Sequence, residues 1–192
     1  MMKDEPRPAL PWSVTASLGY TVFQNMFQSD GQTALGRLAI SKALVDYKQA
    51  LFGLEVGVQS GNTMRVGATA AQLNDLSGLP VQSTIKPMLD LLATMKSPGL
   101  HNTPVFLTLK GGLAFRRWQF NDRTSIEGVS NTAGELQAGL GLPFNTTTSL
   151  SLAYQGIYGG NPNFTVDTTR GFEHVGTIPI QQGILLSLTY LV

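Results

Sequence analysis

"GILLSLTYLV", residues 183–192, decides how the rest of the chain is read. Taken in alternate positions it splits into two faces. Ile184, Leu186, Leu188, Tyr190 and Val192 share one; Gly183, Leu185, Ser187, Thr189 and Leu191 share the other. A period of two is the signature of a strand, because successive Cβ atoms point to opposite sides.

Working outward, seven more segments carry the same period. They are 12–23 (WSVTASLGYTVF), 34–42 (ALGRLAISK), 48–59 (KQALFGLEVGVQ), 88–96 (MLDLLATMK), 105–118 (VFLTLKGGLAFRRW), 135–144 (ELQAGLGLPF) and 149–158 (SLSLAYQGIY). The segment 88–96 is also compatible with a short helix by propensity. The connections between them alternate in length. ALVDY (43–47), SPGLHN (97–102) and NTTT (145–148) are short; 24–32, 60–84, 119–133 and 159–177 are long. In an up-and-down meander this puts every short turn at one end and every long loop at the other. Transmembrane barrels show that asymmetry, with short periplasmic turns and longer outside loops.

Composition narrows the choice. Of 192 residues, 42% are hydrophobic and 13% charged, about half the charged share of a typical soluble domain. A net charge of +1 supplies no field for nucleic acid. No run of about 18 apolar residues suggests a membrane helix. There is no Cys, so neither a disulfide framework nor a thiolate metal site is available. The start, MMKDEPRPALPW, lacks the apolar stretch of a signal peptide. The expectation is an exported protein whose leader has been removed, with residues 1–11 an N-terminal extension and 12–192 the barrel.

Periodicity does not say which face is inside. Three features place the apolar face outward. Gly19, Gly53, Gly57, Gly139, Gly141 and Gly183 sit on the polar face, where a narrow lumen needs small residues. That face carries Arg37, Lys110 and Arg116 against Glu55, Asp90 and Glu135. Three cations and three anions make a lumen charge network that satisfies the requirement for buried charges to be paired. The apolar face is free of charge in mid-strand; Lys42, Lys48 and Arg117 lie near strand ends, where they snorkel. Its aromatics form two belts: Trp12, Phe52, Phe144 and Tyr190 toward the short turns, Tyr20, Phe115 and Tyr158 toward the long loops. A soluble lipocalin-like barrel with the apolar face inward is the competing reading.

The alternating strands, the loop asymmetry and the closing GILLSLTYLV together resemble an eight-stranded outer-membrane barrel of the OmpA/OmpX type over residues 12–192. Segments such as PVQSTIKPMLDLLATMK (80–96) and LSLAYQGIYGGNP (150–162) resemble outer-membrane barrel proteins of Legionella-like gammaproteobacteria. The resemblance implies an all-β, antiparallel, up-and-down transmembrane barrel in the bacterial outer membrane. It implies contact with outer-membrane lipid and lipopolysaccharide, and delivery by the barrel assembly machinery. That machinery reads the last strand, here Ile184, Leu186, Leu188 and Tyr190. The family pattern ends in an aromatic, and this chain ends in Val192.

Catalytic chemistry has few candidates. His101 falls in a short turn and His174 in the last long loop. A lipid-modifying enzyme would pair a His with a rim Ser, and His174 with Ser187 is the nearest imitation; the separation along the strand argues against it. Two distant histidines make no metal set. GNTMRVG (61–67) and GLAFRR (112–117) lack the Lys-Ser/Thr of a phosphate loop. The expectation is a non-enzymatic monomer without cofactor or metal, with a lumen filled by polar side chains and a structural, surface-contact or limited-permeability role.

Overall fold

The computed structural model describes residues 10–23, 32–65, 82–100, 103–121, 126–159, 164–168, 171–175 and 181–192. Eight long strands form the barrel wall: β1 (Trp12–Phe23), β2 (Gln32–Tyr47), β3 (Ala50–Gln59), β6 (Met88–Lys96), β7 (Phe106–Asn121), β8 (Ile126–Pro143), β9 (Thr148–Tyr158) and β12 (Gln181–Leu191). Four short strands lie at the long-loop end: β4 (Asn62–Arg65) with β5 (Gln82–Ile85), and β10 (Phe164–Thr168) with β11 (Gly171–Val175). Each wall strand pairs antiparallel with its neighbours in the order β6-β3-β2-β1-β12-β9-β8-β7, and β7 pairs back onto β6. The eight-stranded wall is therefore closed on itself.

Closure is made by the opening stretch. Residues 181–191 of β12 pair with β1 from Ser13↔Leu191 to Phe23↔Gln181, and with β9 from Tyr190↔Thr148 to Gln181↔Ile157. The strands are staggered. Following paired residues from Leu51 through Lys96, Thr108, Gly139, Ala153, Leu185, Gly19 and Leu35 returns to β3 at Gly61, continuing the Arg37↔Gln59 register by two residues. The path thus climbs from residue 51 to residue 61 in one circuit. Stagger and strand number together set the tilt and the bore, and eight strands leave an interior that side chains fill.

The burial pattern is inverted relative to a water-soluble barrel. Leu18 is 74% exposed and Leu38 59%, while Arg37 and Glu55 are 2% and Asp90 1% exposed. Leu54, Leu109 and Leu186 all face outward. A continuous outward belt of Leu, Ile, Val, Phe and Tyr has lipid, not water, as its natural solvent. The soluble barrel with an apolar interior is overturned by this arrangement.

Several boundaries differ from the sequence reading. MLDLLATMK is a strand, not a helix. ALVDY is not a turn: β2 runs through Tyr47, and the turn is Lys48-Gln49, both at positive φ (51° and 68°). Two-residue hairpins with both residues in this region match the twist of the flanking strands. The period of two fails here because of a β-bulge between Ala43 and Val45, which leaves Leu44 and Val45 both exposed. The long connection 119–133 is mostly strand: β7 and β8 pair as far as Asn121↔Ile126. The NTTT turn closes as expected, with Asn145 Oδ1 accepting from the backbone N–H of Thr147 (2.9 Å) and Thr148 (2.6 Å).

Candidate functional site

The wall strands gather the buried charged side chains in the lumen. At mid-height, four neighbouring strands contribute one charged side chain each: Arg37 on β2, Glu55 on β3, Asp90 on β6 and Lys110 on β7. Arg37 Nε donates to Asp90 Oδ2 at 2.8 Å, and its Nη2 donates to both Asp90 Oδ1 and Glu55 Oε1 (2.8 Å to the latter). Lys110 Nζ donates to both Glu55 oxygens, at 2.9 and 2.8 Å. The guanidinium fork against a carboxylate fixes orientation as well as charge. Along the chain of contacts the charges alternate in sign: Asp90, Arg37, Glu55, Lys110. Gly57 makes room for it, since a Cβ there would lie 2.7 Å from Asp90 Oδ1 and in collision with the Arg37 guanidinium.

The expected six-member network divides. Arg116 and Glu135 are buried in the lumen, at 2% and 1% exposure, but they make other contacts. Arg116 Nη2 donates to the Gly159 carbonyl at 2.8 Å. Glu135 Oε1 accepts from Gln137 Nε2 (2.6 Å) and Gln155 Nε2 (2.7 Å). Register explains the split: Glu135 lies opposite Gly112, four residues below Arg116 on β7.

Gln155 also donates across the lumen to Gln59 Oε1 at 2.9 Å, joining β9 to β3 on the far wall. The sequence reading missed this amide bridge; Gln59, Gln137 and Gln155 fall on the polar face by period two, which was the available signal.

The expectation of a wholly polar lumen is corrected. Leu92, Ile157 and Leu185 are at most 1% exposed and face inward, and Met88, Ala114, Ala133 and Ile157 form an apolar cluster. Apolar and charged side chains sit side by side in the bore, Leu92 opposite Glu55 and Ile157 opposite Glu135. At the short-turn end a hydroxyl-lined recess of about 100 Å³, walled by Ser13, Thr15, Ser41, Ser151 and Thr189, ends at Glu55 and Lys110. At the long-loop end, among Thr21, Gln59, Ile85, Met88 and Gln181, only about 10 Å³ is open.

Of the expected belt residues, Trp12, Tyr20, Phe52, Phe115, Phe144 and Tyr190 are exposed on the outer surface and Tyr158 is half-buried. Tyr158 lies over Gly156 and meets Tyr154 Oη at 3.0 Å. Lys42 Nζ stands 4.9 Å from the Trp12 ring and donates to the Leu10 carbonyl at 2.8 Å. Val192 donates its N–H to the Trp12 carbonyl (2.9 Å), extending the seam to the last residue. His101 lies outside the described residues. Ser187 does not face any rim chemistry: its Oγ is buried in the lumen, 2.8 Å from Ser17 Oγ.

No protein-family model and no curated protein matches this chain. Solved structures do. OprG of Pseudomonas aeruginosa, an outer membrane protein, superposes with a TM-score of 0.61 at 10% identity, covering 95% of this chain and 96% of that one. Neisserial surface protein A gives 0.58 at 10% identity, covering 93% and 96%. Ail of Yersinia pestis, the attachment invasion locus protein, solved with the heparin analogue sucrose octasulfate, gives 0.56 at 10% identity, covering 96% and 99%. The fold is that of an eight-stranded bacterial outer-membrane barrel. The likeness spans nearly the whole chain, and at this identity it is a likeness of fold.

Proposed function

We propose that this protein is a membrane-resident barrel, closed to bulk diffusion and without catalytic chemistry, that holds its long-loop end rigidly at the surface of the bacterial outer membrane. The observation that carries this reading is the buried Asp90–Arg37–Glu55–Lys110 cluster, which with the inward side chains of Leu92, Met88, Ile157 and Leu185 fills the bore. An occluded lumen cannot serve as a solute channel, so the remaining place for function is the surface. The outward apolar belt supports residence in lipid, and the superposition on surface-attachment barrels such as Ail supports a contact role. The alternating outward residues of β12, from Ile184 to Tyr190, support its reading as the strand that the assembly machinery recognises.

Two measurements test this. The folded protein should need detergent to remain monodisperse and should migrate differently on gels before and after boiling. In planar bilayers it should pass no sustained current steps of porin size. Monodispersity in plain buffer would sink the membrane reading; stable large steps would sink the occluded lumen.

A further inference from the structure

The recess at the short-turn end holds more positive charge than its walls offset. Its floor is the Glu55 carboxylate, which is already met by Arg37 Nη2 at 2.8 Å and by Lys110 Nζ at 2.9 and 2.8 Å. With Asp90 bound to Arg37, the four charges of that cluster cancel. Lys96 is a fifth. It lies on the inward face of β6 and lines the recess, half-buried, with its Nζ 4.0 Å from the centre of the Phe106 ring. Register sets it beside Lys110. Lys96 pairs with Thr108 and Thr94 with Lys110, so the two lysines are diagonal neighbours on one face, a separation that long side chains span. Among the described residues, no carboxylate lies within ion-pair distance of Lys96.

Hydroxyls supply much of the remaining wall. Ser13 Oγ meets Ser41 Oγ at 2.6 Å, and Thr15 Oγ1 meets Thr189 Oγ1 at 3.0 Å. Each such pair holds two hydroxyl hydrogens and uses one in the bond, so one donor per pair is left for a guest. The Lys110 ammonium has three N–H groups against two Glu55 oxygens, which leaves it a further donor. Ser149 and Ser151 of β9 add hydroxyls from another side, so donors converge from several strands rather than in one plane. The open volume is about 100 Å³, the room of about three waters at about 30 Å³ each. That suits one small ion and excludes a sugar. Thr94 and Lys96 at the mouth are half-buried, whereas Thr15 and Glu55 are buried. The recess is blind: it opens at the short-turn end and closes on the ion cluster.

We propose that this recess is a binding site for a small tetrahedral oxyanion of the phosphate type, held by the Lys96 and Lys110 ammonium groups and by the hydroxyls of Ser13, Thr15 and Ser151. Ammonium–oxyanion hydrogen bonds are of the strong, charge-assisted kind. Hydroxyls both donate and accept, so they serve the ionised oxygens and the P–OH of a hydrogenphosphate alike. A planar carboxylate engages fewer donors that converge from several sides, and chloride has no oxygens to place among them. The site goes beyond the surface role and needs only the geometry of the lumen.

The full chain is folded in maltoside micelles and titrated calorimetrically with inorganic phosphate, acetate and chloride at constant ionic strength. Phosphate should bind at one site per chain, at least about tenfold more tightly than acetate or chloride. K96Q should weaken phosphate binding about tenfold or more. S151L, which narrows the recess without changing its charge, should weaken it by a similar factor. K48Q, at the same rim but outside the lumen, should leave it unchanged. Phosphatidylglycerol added to the micelles should not displace the ion. Phosphate bound no better than acetate or chloride by the native chain overturns the proposal without needing any variant. Undiminished binding by both K96Q and S151L puts the ion elsewhere and removes the site. Displacement by phosphatidylglycerol gives the site to a lipid headgroup and overturns the assignment to a free ion.

Discussion

Arg37 is the residue on which the interior depends most. It touches Asp90 through two nitrogens and shares Glu55 with Lys110. Removing a partner from such a buried set leaves a charge without compensation, at a cost of about 3–5 kcal/mol. Glu55→Ala strips Lys110 of both contacts and Arg37 of one, so its unfolding free energy in micelles should fall by that order, read as a lowered urea midpoint; an unchanged midpoint would show that the cluster adds nothing to stability. On the outside, Leu186→Arg puts a cation into the middle of the lipid belt and should cost about 2–4 kcal/mol, whereas the same change at Tyr190, nearer the interface, should cost about 1 kcal/mol or less. Equal penalties at the two positions would contradict the proposed depth. Much of this was legible from parity: alternate positions put Arg37, Glu55, Asp90 and Lys110 on one face. Parity assigns a face and says nothing about height. Which charges meet depends on stagger: Arg116 and Glu135, buried on the inner face, hydrogen-bond to the Gly159 carbonyl and to Gln137 and Gln155 respectively.

At the scale of elements, the turns and glycines give sharper tests. Lys48 and Gln49 both adopt positive φ, a region that suits Asn-Gly far better. K48N/Q49G should stabilise the barrel by about 0.5–1 kcal/mol, read as a raised unfolding midpoint; a drop would mean that the Lys48–Tyr47 contact outweighs backbone strain. Gly57→Ala works in the opposite sense. Its methyl would press on the guanidinium of Arg37 and on Asp90, so it should destabilise by about 1–3 kcal/mol. All eight wall segments were legible in part because each keeps its alternation through six or more residues, but β8 was begun at Glu135 although it starts at Ile126, since its first half (IEGVSNTAG, 126–134) carries no apolar period. β2 was cut short at Lys42 since the bulge at Ala43/Val45 places two apolar residues outward in succession. The inward Leu92, Ile157 and Leu185 were missed for a related reason: lone apolar residues on a polar face carry no period of their own.

For the molecule as a whole, the inverted surface and the filled bore point to a membrane-embedded barrel with a packed interior. The wall was legible from sequence because it obeys one repeating rule. The loop end was less so, since β4, β5, β10 and β11 lie in segments without alternation long enough to register. The seam between β1 and β12 has a kinetic consequence. It joins positions as far apart as Ser13 and Leu191, so contacts between the two ends of the chain are the ones that close the wall. Until the final strand docks, every intermediate is an open sheet with two sticky borders and a half-built interior full of ionised groups. Such a topology folds slowly and is exposed to aggregation throughout. A nascent chain of this kind benefits from a template that shields both borders until the ring snaps shut, and truncating even the last few residues should leave aggregates rather than a leaky cylinder.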